Sequence, residues 1–254
     1  MQRYFIKNPV PADDTFKIND ENLHHMKNVM RMKEDDEAIL VFEDETAIRA
    51  KVAQVGDDFL FYQKVEVLQK QVELPVNIII ASAFPKGDKA EWITQKATEL
   101  GAHSFVFFPS DWSVAKWDGK KLAKKGQRLE KIAQEAAEQS HRTHLPKVAM
   151  FETFKQFCSE LDEYQHILIA YEETAKAGDV SSLYSSFEKF LPGEKVLVIF
   201  GSEGGLSPNE VETFVEKGGI PVALGPRILR CETAPLYLLS SASFFLEMQQ
   251  GGSQ

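Results

Sequence analysis

Several things are scarce in this 254-residue sequence. It has two cysteines, Cys158 and Cys231, far apart in the chain. That excludes a disulfide framework and the usual zinc-ligand spacings. It lacks an excess of cations: 29 Lys and Arg against 38 Asp and Glu leave a net charge of −9. No global field draws such a chain to nucleic acid, so any contact of that kind rests on local patches. Long hydrophobic runs are missing too. The longest apolar stretch, Pro235 to Met248, is interrupted by serines and is too short to span a bilayer. The first ten residues, M-Q-R-Y-F-I-K-N-P-V, are too short and polar for a signal peptide. His24 and His25 point apart if helical and have no third ligand nearby, so no metal is expected. Neither phosphate-loop fingerprint, G-x-x-x-x-G-K-[ST] or G-x-G-x-x-G, occurs. The expectation is a soluble, cytoplasmic protein with no membrane and no metal.

What is present is ordinary globular composition, 43% hydrophobic and 26% charged, in a chain long enough for two domains. Residues 1–72 read as a small β-rich unit. Glu37–Glu43, Thr46–Val55 and Asp58–Val67 are rich in β-branched and aromatic residues and largely alternate apolar with polar. Asp44-Glu45 and Gly56-Asp57 supply turns. Asn22–Met32 carries Leu23, Met26, Val29 and Met30 at helical spacing. Around these lie Arg3, Tyr4, His25, Lys27 and Arg31. Cations meet phosphates and rings stack bases; an ordinary solvated face, with Tyr4 in the core, is the other reading.

From residue 73 to 254 the pattern changes. Val76–Phe84, Ser104–Phe108, His166–Ala170 and Lys195–Phe200 are near-continuous apolar strands, the mark of a sheet covered on both faces. Helical patterns alternate with them over Lys86–Leu100, Lys120–Gln139 and Glu152–Leu161, which predicts a parallel sheet between helices. Ala175–Phe187 supports no assignment. The stretch Lys120–Gln139 has a strongly basic start: Lys116, Lys120, Lys121, Lys124, Lys125, Arg128 and Lys131. Cations at a helix start oppose its dipole, so the cluster fits either phosphate contact or a solvated face. The polar turn Gln139–Pro146, holding Arg142, is the kind of loop that carries function.

Val196–Ala234 organises the rest. V-L-V-I-F-G-S-E-G-G-L-S-P-N-E and I-P-V-A-L-G-P-R-I-L-R-C-E-T-A each run from a strand into a glycine turn and then a helix start. Two such turns predict one shared pocket at strand C-termini. Ser207-Pro208-Asn209-Glu210 reads as N-cap, N1 proline and capping-box glutamate. Those groups compete for the helix's free amides, and Glu203 inside the turn repels phosphate, so a neutral or cationic ligand suits the pocket. Leu224, Ile228 and Leu229 offer apolar walls for a flat heterocycle such as adenine. Arg230 and Glu232 are either reactive groups or a structural ion pair. The apolar helix Pro235–Met248 calls for cover, as from a second copy of the chain.

G-S-E-G-G-L-S-P-N-E followed by L-G-P-R-I-L-R-C-E-T-A resembles the paired signature of the SPOUT methyltransferases, and more narrowly the bacterial 16S ribosomal RNA uridine-N3 methyltransferases (the RsmE family). Arg3-Tyr4-Phe5, His25–Arg31, Gln95–Gly101 and Glu138–Arg142 with Leu145-Pro146 resemble family segments as well. Ser202 stands where the family usually has proline, and Cys231 where it usually has threonine. The resemblance implies a PUA-like β-barrel for RNA over residues 1–72. It implies an α/β domain over 73–254, with a mostly parallel sheet, helices on both faces and a deep trefoil knot. It further implies a homodimer, and 16S rRNA within the small subunit as substrate. S-adenosylmethionine would be held by Ala170, Tyr171, Glu172, Ile199, Gly201, Gly204, Gly205, Leu224, Gly225, Ile228, Leu229, Thr233 and Ala234. Arg230, Glu232 and Glu203 are the implied catalytic groups: Arg230 stabilises charge on the base, and a glutamate orients it or accepts its proton. Arg3, Tyr4, His25, Lys27, Arg31, Lys86 and Arg142 are the implied RNA contacts. Two rival classes stand beside this: a nucleotide-binding α/β enzyme of other chemistry, against which Glu203 argues, and a non-catalytic RNA-binding assembly factor.

Overall fold

The computed structural model describes residues 1–69, 72–176 and 181–248. The chain divides into two units. One is Met1–Glu73 together with Ala137–Leu145, and the other is Leu74–Ala136 with Pro146–Gln254. A simple cut after residue 72 therefore misses a returning segment. The reason lies in the side chains. Glu73 accepts from Arg142 Nε at 2.9 Å, Arg3 Nη1 donates to the Arg142 carbonyl at 2.8 Å, and Ala137 and Leu145 pack with Phe5, Val41 and Ala47.

The first unit holds β1 (Gln2–Phe5), β2 (Thr15–Ile18), β3 (Glu37–Val41), β4 (Ala47–Val55) and β5 (Leu60–Val67) in the order β1-β3-β4-β5-β2. Only β1 and β3 run parallel. The expected turn at Asp44-Glu45 joins β3 to β4: Glu45 adopts φ 65°, and the Asp44 carboxylate accepts from the Thr46 amide at 3.1 Å. Tyr4, Ile6, Phe16, Leu40, Ile48, Leu60 and Tyr62 fill the core of this unit. The expected helix at Asn22–Met32 is a single wide π-helical turn, His25–Val29. Met26 is fully buried but Val29 and Met30 are exposed, so the apolar spacing has too little core to cover for a longer helix.

The second unit alternates strand and helix. It contains β6 (Asn77–Ala83), α1 (Lys89–Glu99), β7 (Ser104–Phe108), α2 (Gly119–Gln139), β8 (Lys147–Met150), α3 (Phe154–Ser159), β9 (His166–Ala170), α4 (Glu172–Lys176), α5 (Ser182–Phe187), β10 (Lys195–Phe200), α6 (Pro208–Glu216), β11 (Ile220–Val222) and α7 (Ala234–Ser243). The last three residues of α2 group with the first unit. Within the stretch Ala175–Phe187, residues 177–180 lie outside the described residues. The six strands are all parallel, in the order β11-β9-β10-β6-β7-β8. Alternation explains the unbroken apolar strands. Ile78, Ile80, Val196 and Val198 join one core with residues of α1 and α7, while Ile79, Ala81, Leu197 and Ile199 join another with Phe157 and Phe214. Gly101 closes α1 as expected: it takes φ 94°, and Ala102 N donates back to the Ala97 carbonyl at 2.9 Å.

Candidate active site

Register places the site. Phe200 pairs with Ala170 and with Ser82, and Ala170 pairs with Val222. The carboxyl ends of β11, β9, β10 and β6 therefore open on one rim, where ligands bind in parallel sheets. A cavity of about 780 Å³ lies there, inside the range of small-molecule and cofactor sites. Of the expected cofactor contacts, Ala170, Tyr171, Glu172, Gly201, Gly204, Gly205, Leu224, Gly225, Ile228, Leu229 and Ala234 line it. Ile199 and Thr233 do not. Ile199 is fully buried between the sheet and its helices, and Thr233 stands at the N-cap position of α7, its amide donating to the Arg230 carbonyl at 2.8 Å.

The first glycine turn is shaped by a contact that no side chain survives. A Cβ on Gly201 would stand 2.4 Å from the Gly205 carbonyl carbon, and Gly205 itself takes φ 81°. Ser202, the departure from the family's proline, is buried; its carbonyl accepts from Gly205 N at 2.9 Å and its hydroxyl from Gly204 N at 3.4 Å. The turn then enters α6 through the expected capping box: Glu210 N donates to Ser207 Oγ at 3.3 Å and Ser207 N to Glu210 Oε2 at 2.8 Å. Buried Glu210 also accepts from Ser110 Oγ and the Asp111 amide, and Ser207 Oγ donates to Asp111 at 2.7 Å. This fastens the loop after β7 to the glycine turn and carries Trp112 to the cavity's edge.

A lysine not singled out from sequence joins the two turns. Lys89, in the first turn of α1, places Nζ 3.0 Å from Glu203 and 3.1 Å from Glu232. Burial works against ionising Glu203, but Lys89 and the Lys86 amide, which donates at 3.0 Å, hold its carboxyl below the ordinary range. Glu232 is likewise held low against burial, by its own backbone amide, Cys231 and Lys89. The Lys89 ammonium is correspondingly raised, chiefly by its bond to Glu203. Cys231 donates to Glu232 at 3.3 Å, and burial followed by that contact pushes its thiol up to about 12, so it stays protonated and unreactive. Glu232 sits behind Lys89 and does not line the cavity, whereas Arg230 and Glu203 do. Spacing along the chain gave no sign of Lys89, because it lies more than a hundred residues from either glutamate.

Two regions of this chain match models of RNA methyltransferases: the RNA methyltransferase domain over residues 72–243 and the RNA methyltransferase PUA domain over residues 18–63. The chain belongs to this family. It is 43% identical over 254 residues to the ribosomal RNA small subunit methyltransferase E of Bacillus subtilis, covering 99% of each chain. It is 33% identical to the protein of that name from Synechocystis, over 92% of this chain and 74% of the relative. Among solved structures, a hypothetical protein 40% identical superposes with a TM-score of 0.91 over 98% of this chain and 100% of its own. A methyltransferase from Legionella pneumophila, in complex with bound SAM, is 27% identical with a TM-score of 0.78, over 95% and 96%. The cavity at the strand ends is thus in the methyltransferase domain of such a family member.

The residues expected to meet RNA in the first unit divide by exposure. Arg3 and Arg142 are buried at 6% and 3%, and Tyr4 at 1%. Arg3 holds the Arg142 carbonyl, Arg142 pairs with Glu73, and the Tyr4 hydroxyl lies 3.1 Å from His25 Nδ1. Their side chains join parts of the unit to one another. Lys27 donates to the carbonyls of Gly56 and Asp57. Arg31, exposed and with φ 54°, makes no ion pair among the described residues. Lys86, in the second unit, is also exposed.

Proposed function

We propose that this chain is an S-adenosylmethionine-dependent methyltransferase acting on N3 of a uridine in 16S, small-subunit ribosomal RNA. The observation that carries the reading is a cavity at three parallel strand ends, with both glycine turns on its wall and Arg230 among its lining residues. The residues fit the cofactor. Gly201, Gly204 and Gly225 shape the two turns on its wall, Leu224 and Leu229 give apolar surface to a purine, and Glu203 in the first turn opposes a phosphate. When bound, the cofactor supplies an electrophilic methyl group.

The remaining work falls to the chain's own residues. Arg230 is exposed at the cavity, so its guanidinium can stabilise negative charge spreading onto the uracil carbonyls once N3 loses its proton. Glu203 and Glu232 are held as anions by Lys89 and are weak bases. Of the two roles expected for them, orientation suits this geometry better than proton acceptance. N3 lies on the pairing edge, so the target base must be unpaired or flipped out. A homodimer is part of the proposal, because Tyr237, Phe244 and Met248 at the C-terminal helix leave apolar surface exposed. So are the trefoil knot, formed by the segments after β10 and β11, assembled small subunits as the substrate, and a cytoplasmic location.

Transfer of labelled methyl groups to naked 16S rRNA and to small subunits, followed by mapping of the modified base, tests the reading. Arg230→Ala should lower kcat by about 100-fold with cofactor affinity unchanged. Normal transfer by that variant would remove Arg230 from the mechanism, and no transfer by the wild type would leave the assembly-factor class.

A further inference from the structure

We propose that Trp112 is the platform on which the extruded uracil rests, a base-positioning residue that sequence motifs do not reveal. The proposal rests on the RNA-methyltransferase reading and adds the group that recognises the base. Trp112 lines the cavity and is 48% exposed. A scattered exposed aromatic needs no explanation, but this one is built in. Its loop is tied down by the bonds from Ser110, Asp111 and Ser207 to buried Glu210 and to Asp111. Its Cβ would lie 3.0 Å from a Cβ on Gly204, and its ring atoms Cε3 and Cζ3 would lie 4.0 Å from one on Gly205. The missing side chain at 204 therefore lets the Trp112 backbone and Cβ sit against the turn, and the ring lies at ordinary contact distance from the Gly205 position.

One part of the indole is thus seated on a rigid glycine turn while much of the rest faces open space beside the cavity. A flat face presented this way suits a flat, weakly polar partner. An unpaired base offers that, and aromatic side chains are what proteins use to hold bases taken out of a stack. The chain that continues from Trp112 carries the matching charge. Lys116, Lys120 and Lys124, four, eight and twelve residues further on, are all exposed and form no ion pair among the described residues, so phosphates flanking the base would meet cations on the segment that follows the ring. The occupant argued for is a uridine of RNA with its neighbouring phosphates.

The test uses the full-length protein with 16S rRNA and compares Trp112→Ala and Trp112→Phe with wild type. Three readouts are taken: S-adenosylmethionine affinity by calorimetry, methyl-transfer kinetics with rRNA varied, and quenching of tryptophan emission by rRNA. Trp112→Ala should raise KM for rRNA about tenfold with cofactor affinity within about twofold of wild type. Trp112→Phe should recover most of that loss, and part of the wild-type quenching should vanish in both variants. An unchanged KM for rRNA with unchanged quenching would overturn the proposal. So would an equal loss of cofactor affinity, which would make Trp112 a wall of the cofactor site. If wild type shows Trp112-dependent quenching without methyl transfer, the reaction assigned above fails and the base contact stands.

Discussion

Lys89→Met tests the account of the site most directly, because it removes one charge that two loops share. Each contact, at 3.0 and 3.1 Å, is partly buried, with side-chain exposures of 29% for Lys89, 26% for Glu203 and 18% for Glu232. A pair of unit charges at that separation attracts by about 5 kcal/mol at an effective dielectric near 20. Desolvation and side-chain ordering offset most of this, leaving about 1 kcal/mol per pair. Removal has a second cost. The two carboxylates, each near the same nitrogen, would face one another across at most about 6 Å and repel by roughly 1–3 kcal/mol. The variant should lose about 3 kcal/mol, a fall in Tm of about 5–10 °C, and bind S-adenosylmethionine at least about tenfold more weakly because both glycine turns loosen. Adding Glu203→Gln to Lys89→Met removes the repulsion and should restore about half the stability, a coupling that a mere packing defect would not show. Differential scanning calorimetry and titration calorimetry read both quantities. If Lys89→Met keeps Tm and cofactor affinity, the reasoning fails. The pH window follows from the shifts. The carboxylates, lowered below 4.5, contribute stability above that value that is lost as pH falls through their folded values. Lys89, raised above 10.5, contributes stability that is fully present below that value and is lost as pH rises through its folded value. Between these limits the cluster should give the transfer rate no pH dependence of its own.

Three further outcomes are expected. Gly201→Ala forces a methyl group to within 2.4 Å of the Gly205 backbone, and should abolish cofactor binding by calorimetry while circular dichroism keeps the helix content of wild type. Arg142→Met leaves Glu73 without its guanidinium partner and should destabilise the protein by about 3–5 kcal/mol in urea titrations. In the wild type, Glu73 is held below 4.5 because Arg142 and the amides of His144 and Thr143 outweigh burial, so this contribution persists at neutral pH and fades as pH falls through the lowered value. Replacing Lys116, Lys120 and Lys124 together by alanine should weaken rRNA binding evenly across sequences and reduce the salt slope by about one per lysine in contact with phosphate; an unchanged slope would place RNA elsewhere.

Much of this architecture is written locally. Apolar runs such as Val76–Phe84 determine buried strands because every side chain must find cover, and Ser207-Pro208-Asn209-Glu210 determines a helix start because its groups satisfy one another within four residues. The glycine turns are equally local, since backbone crowding at Gly201 and positive φ at Gly205 and Gly225 leave few alternatives. Short segments with weak patterns were less legible. The edge strand β8 shows no alternation strong enough to announce it, and the helix expected at Asn22–Met32 shrank to one turn for want of core to cover. Charge was the least legible property. Sequence does not say that Arg3 and Arg142 are buried, with Arg142 paired to Glu73, because an exposed guanidinium and a buried one are the same letter. Lys89 bridging Glu203 and Glu232, and Trp112 seated over Gly204, depend on strands β6, β7, β10 and the segment after β11 meeting at one rim. The sequence by itself determined the strongly signalled turns and helix starts, such as those at Gly201 and Ser207, because those are contests among neighbouring residues. Only the tertiary structure decided which charges are paired, which are free and which ring faces the cavity, because those depend on distances between residues far apart in the chain.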